Sequence, residues 1–178
     1  MNTELSPDCP RSHESSPLPL LAPRWDQLFS TSRPLLSPLI EVVMAEAANA
    51  FGTNDHAHSA CRLTLLEILI RGYSIGLLSS RDIESSLRTD SHWSVESKEL
   101  SPSSNDLRQF RRQARLILER CLARLYWLAW AEQSPPTTFI AIEVIDSQDA
   151  QDHRWASARS EARNRLEWAY FTDSVESD

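Results

Sequence analysis

The chain has 178 residues, is 41% hydrophobic and carries a formal net charge of −7, which suits one domain with a real core and leaves little room for two. Three cysteines (Cys9, Cys61, Cys121) without paired spacing argue against a disulfide-stapled secreted module and fit a reducing cytoplasm. Three glycines (Gly52, Gly72, Gly76) disfavour sheet-rich folds and phosphate-cradling loops, and no uncharged apolar run approaches the ~18 residues of a membrane helix.

Residues 1–22 are rich in proline and serine, are read as disordered, and show no apolar signal-peptide core near Met1. The first helix is predicted over Ser37–Phe51, with Leu39, Ile40, Val43, Met44, Ala47 and Phe51 on one face and Gly52 and Asn54 as candidate terminators. Arg62 to about Leu77 is apolar nearly all round and is predicted to be the buried central helix. Ser79 can cap a short helix over Arg81–Thr89, with Asp82 and Glu84 in its first turn. Ser97–Ser104, with Pro102, reads as a loop. Ser103 and Asp106 then form a capping box for the longest helix, whose stripe of Leu107, Phe110, Ala114, Ile117, Cys121, Leu125 and Leu128 runs to Gln133, before Pro135 and Pro136. Phe139–Ile145 is the one strand candidate, a last arginine-bearing helix covers about His153–Phe171, and the acidic tail after Asp173 is read as frayed. The expected fold is mainly α: a helical bundle with a helix-turn-helix-like layout and one short strand near the C-terminus.

Charge is unevenly spread. Residues 1–60, 61–134 and 135–178 balance at −4, +2 and −5, so only the middle third is positive. Within it Arg108, Arg111, Arg112 and Arg115 fall on one helical face, roughly 130° from the apolar stripe. With Arg120 and Arg124 they form a candidate phosphate-binding face, since guanidinium forks match phosphate oxygens; the structural alternative is a solvated face paired with acids from the tails. Asn105–Arg112 stands near the start of what a helix-turn-helix would use as its reading helix. Arg81 has an alternative internal role, pairing with Glu84 or Asp106.

Three other features have plainer readings. Gly72-Tyr73-Ser74-Ile75-Gly76 matches the G-x-S-x-G nucleophile elbow, but that motif needs a preceding strand and this one follows a helix; its glycines suit a close helix crossing better. Asp55, His56, His58 and Cys61 could gather round a metal, but no second ligand group follows at zinc-finger spacing, so no metal site is assigned. Tyr126, Trp127 and Trp130 widen the apolar belt at the end of the long helix. They are expected to be covered by Leu166, Trp168, Ala169 and Phe171 of the last helix, the alternative being a dimer or partner surface.

The stretch Leu66–Glu84, LEILIRGYSIGLLSSRDIE, resembles the segment LLYGYxxGxxSSRxIE of the N-terminal domain of bacterial insertion-sequence DDE transposases. Trp93 is similar to the tryptophan of that family's FRWL position, and Pro102, Leu107, Phe110, Arg111 and Arg112 resemble PDxxTIxxFRR in register, with Ser103 and Asp106 departing from it. The resemblance covers about residues 62–130. It implies an all-α domain over residues 23–134 that binds transposon ends, followed over 135–178 by a strand-helix remnant of a ribonuclease-H-like domain. Asp146, or less fittingly Glu143, would then be the relic of the first catalytic acid. A complete enzyme of that type holds two divalent metal ions with several carboxylates, and one acid cannot. The expectation is therefore a truncated, non-catalytic DNA-binding protein of the cytoplasm, without cofactor, membrane or small-molecule substrate. Its partners would be DNA and a second copy or a full-length transposase. The competing expectation is a helical protein-interaction module without a nucleic-acid role.

Overall fold

The computed structural model describes residues 33–51, 56–90, 93–133 and 148–176, and these fold into seven helices with no strand among the described residues. They are α1 (Arg33–Phe51), α2 (His56–Ser74), α3 (Ser80–Thr89), α4 (Val95–Leu100), α5 (Ser104–Gln113), α6 (Arg115–Gln133) and α7 (Gln148–Val175). The mainly α architecture expected from periodicity is the one observed. The strand candidate Phe139–Ile145 and residues 1–32 lie outside the described residues.

Buried α2 is the centre of the bundle. Leu66, Ile68, Leu69, Ile70 and Tyr73 have no exposed surface, and α1, α3, α4, α5 and α6 all pack on it. A helix apolar on every side can be satisfied only by neighbours on every side. It ends where the sequence supplies a residue able to turn left-handed. Gly76 has φ +90°, the Leu77 N–H donates to the Gly72 carbonyl (2.9 Å), and the Gly76 N–H to that of Tyr73 (3.2 Å). These are the two bonds of a Schellman cap. The glycine motif is thus a helix terminator, and Ser74, buried, donates its hydroxyl to the Arg71 carbonyl at 2.7 Å. Gly72 serves packing instead: a Cβ there would lie 2.8 and 2.9 Å from Cδ1 and Cγ1 of Ile83 on α3.

Local capping rules place α3 and α5 as expected. The Ser79 side chain accepts from the N–H groups of Arg81 and Asp82, and Ser103 and Asp106 form the reciprocal capping box. Three expectations are corrected. The first helix begins at Arg33, with Pro38 inside it, because Leu36, Ile40, Val43 and Ala47 continue one buried face across the proline. Ser97–Ser104 is not all loop: Ser94 caps α4 by accepting from the Ser97 N–H, Ser97 is buried, and left-handed Ser101 (φ 38°) ends the helix. The longest predicted helix is broken at Ala114 (φ −103°, ψ 16°), dividing α5 from α6.

The last helix is longer than predicted at both ends and joins the same core. Ala158, Ala162, Leu166 and Ala169 are buried, and α7 lies along α6 in the most extensive helix pair of the fold. Its small residues let it approach closely enough to cover Tyr126, which is fully buried with the Arg165 guanidinium 5.7 Å from its ring. Trp127 and Trp130 stay half-buried, under Arg124 and Arg154 respectively. Trp168 and Phe171 do not help cover this belt; both turn outward. Among the described residues no helix is long and apolar enough to cross a membrane.

Candidate nucleic-acid interface

The arginines that sequence periodicity placed on one face divide into two groups. Arg111 has no exposed surface. Its position explains why: it follows Leu107 by four residues and precedes Ala114 by three, so it lies in the apolar stripe. It can be buried only if its charge is met. Its guanidinium donates to Asp173 Oδ2 (2.6 Å), to the Ala169 carbonyl (2.9 Å) and to Ser80 Oγ (2.8 Å), and lies 5.4 Å from the ring centre of Tyr73. Asp173 also accepts from the backbone N–H and hydroxyl of Ser80, both at 2.8 Å. One carboxylate near the end of α7 therefore ties together the N-terminus of α3 and the side of α5. The Tyr170 hydroxyl adds a bond to the Arg111 carbonyl. Burial among these groups holds the Tyr73 phenol above its ordinary pKa.

Arg108 belongs to the same lock, 3.5 Å from Asp173 and 3.9 Å from Glu176, and the Ser79 hydroxyl donates to Glu176 at 2.7 Å. Residues 174–176 are consequently pinned to the bundle through Glu176 and not frayed, while residues 177–178 lie outside the described residues. Arg111 cannot offer its guanidinium to a phosphate, and Arg108 offers little; tail acids meet these two charges inside the fold.

Arg112 and Arg115 are exposed. Arg115 lies 5.7 Å from the Tyr170 ring centre, and Arg112 has no hydrogen-bond or ion-pair partner among the described residues. At ~100° per residue, Asn105, Gln109 and Arg112 share one sector of α5; all three are exposed and free of side-chain partners among the described residues. These are the side-chain types that read adenine and guanine edges in a major groove. The sequence reading bracketed this segment but missed Gln109, because it weighted charge over exposure.

Behind this face α5 is held firmly. The Ser104 N–H donates to Glu84 Oε2 at 2.9 Å, joining the start of α5 to α3, and that bond holds the Glu84 carboxyl below its usual range. Asp106 is lowered by its bonds from Ser103. Glu84 also pairs with Arg88, and exposed Arg81 forms no ion pair or hydrogen bond with Glu84 or Asp106. Of the outer arginines, Arg124 is taken up by Glu46 (3.0 Å), whereas Arg120 is exposed.

No group of three or more His, Cys, Asp or Glu suited to a metal occurs among the described residues. Cys61 is exposed; Asp55 and the side chains of His56 and His58 lie outside the described part, as do Asp146 and Glu143. Cys121 is buried beside Glu46, and burial foremost pushes its thiol up to about 11. Comparison with known proteins found no matching family model, no matching curated protein and no matching solved structure.

Proposed function

We propose that this chain binds double-stranded DNA through the exposed face of α5, as a transposon-end-binding domain of the insertion-sequence transposase type. The observation that carries the reading is the unpartnered Asn105, Gln109 and Arg112 sector on a helix held rigidly by its capping box and by Glu84. Arg115 extends the face toward α6, where its charge adds a phosphate contact. The sequence resemblance over residues 62–130 supplies the class of protein. No catalytic step is proposed.

The test is a titration of duplex DNA by fluorescence anisotropy at several salt concentrations. The two exposed cations of the face, Arg112 and Arg115, would give a slope of about −2 in log K against log salt. Arg112→Ala and Gln109→Ala should weaken binding without lowering stability. Binding that is absent at low salt, or unaffected by both substitutions, would remove the proposal.

A second reading, a helical protein-interaction module, is favoured by one observation: Trp168 and Phe171 pack edge to face on the surface of α7, ring centres 5.8 Å apart. An aromatic interface would lose little affinity on adding salt.

A further inference from the structure

The outward face of α7 changes character along its length. Toward the N-terminus it carries the small side chains Ala156, Ser157 and Ser160; beyond Asn164 it carries Trp168, Phe171 and Val175, each 59% exposed. The spacing of four, three and four from Asn164 to Val175 keeps these residues in one stripe at the helical period. Asn164, Glu167, Trp168 and Phe171 line a hollow of about 370 Å³. Three large apolar side chains in one stripe are more than the scattered surface hydrophobics of a monomer. Two charges flank them. Glu167 is exposed and has no partner among the described residues, and Arg163, although it reaches Glu119 at 3.1 Å, keeps half of its side chain in solvent.

We propose that a second copy of this chain docks on this face with its own α7 antiparallel, about a two-fold axis level with Arg165. In that register Phe171 of one copy lies over Ser157 and Ser160 of the other, and Val175 over Ala156. Bulky side chains thus fill the space left by small ones. The same operation sets Arg163 level with Glu167 of the second copy, twice, giving the free carboxylate its cation. A parallel arrangement would stack the bulky ends on each other and place like charges together, so shape and charge select the antiparallel one. The interface is isologous and closes at two copies. It uses no residue of the α5 face and is independent of nucleic-acid binding.

The experiment is sedimentation equilibrium of the full chain, from about 1 to 100 µM, a range that spans weak specific association. The wild type should form dimers. Trp168→Ser, at an exposed position, should weaken association at least about tenfold while the circular dichroism spectrum is unchanged. Glu167→Arg and Arg163→Glu should each be monomeric alone and should pair when mixed, because each then supplies the charge that the other lacks. A wild type that stays monomeric overturns the proposal. So does self-association that survives Trp168→Ser or Glu167→Arg, which would place the contact elsewhere, and so does failure of the two folded charge variants to pair. Should Arg163→Glu not fold for want of its bond to Glu119, the Trp168→Ser and Glu167→Arg arms decide alone.

Discussion

Replacing Asp173 by Ala isolates the interaction on which the position of α5 depends. The substitution leaves the Arg111 guanidinium fully buried without its carboxylate, and it strips the N–H and hydroxyl of Ser80 of their acceptor. Breaking a buried ion pair from one side costs about 3–5 kcal/mol, and orphaned polar groups account for much of that figure. For a chain of this size the loss corresponds to a fall of about 6–20 °C in Tm. The assay is urea unfolding followed by circular dichroism, with the midpoint compared at constant slope. Two controls sharpen it. Arg112→Ala, one residue along the same helix but exposed, should change stability by less than about 0.5 kcal/mol. Arg111→Met combined with Asp173→Leu should recover part of the loss, since removing both charges leaves no uncompensated ion while the Ser80 N–H and hydroxyl still lack their acceptor. A loss below about 1 kcal/mol for Asp173→Ala would refute the claim that this pair is buried and that α7 fixes α5.

Other outcomes follow from the same geometry. Gly72→Ala should destabilise by about 1–2 kcal/mol despite the better helix propensity of alanine, because the added Cβ meets Ile83 under 3 Å; a raised melting temperature would deny the close crossing of α2 and α3. Gly76→Ala should cost about 1 kcal/mol from backbone conformation alone, since the space around it is open; an unchanged urea midpoint would deny the Schellman cap. Glu84 and Asp106 have folded pKa values below their unfolded ones, so their stabilisation is complete at neutral pH and is lost as pH falls through those folded values. The acid unfolding curve of Asp106→Asn should accordingly be shallower than that of the wild type, and identical curves would contradict the capping box as a charged contact. Cys61 should react quickly with a thiol reagent in the native protein while Cys121 stays protected, its thiol raised to about 11; equal rates by peptide mapping would contradict the burial of α6.

What was legible in the sequence is what depends on neighbours within a turn or two. Ser79 and Ser103 declare themselves as caps because the groups that they satisfy lie two or three residues ahead, and α2 declares its burial because no face of it could meet water. The short helix α4 was hidden because its Ser94 cap and buried Ser97 stand in a serine-rich stretch that propensity reads as loop. The lock was hidden for a different reason. Arg111 and Asp173 are 62 residues apart, and no periodicity links them. One signal was present, however: Arg111 occupies the Leu107–Ala114 apolar stripe, and an arginine in a core stripe demands a buried carboxylate. Treating every arginine of the helix as exposed obscured it, and with it the division between structural Arg111 and Arg108 and outward Arg112 and Arg115. The outward Trp168 and Phe171 were misplaced for a related reason, since alanines on the other side of α7 already close the gap to α6.

The salt dependence of duplex DNA binding, measured for the wild type and for Arg112→Ala, tests the proposed role of α5 most directly. A log–log slope of about −2 in the wild type, reduced by about one in the variant at unchanged melting temperature, is the result this account predicts. A flat plot, or two superimposable ones, would contradict it.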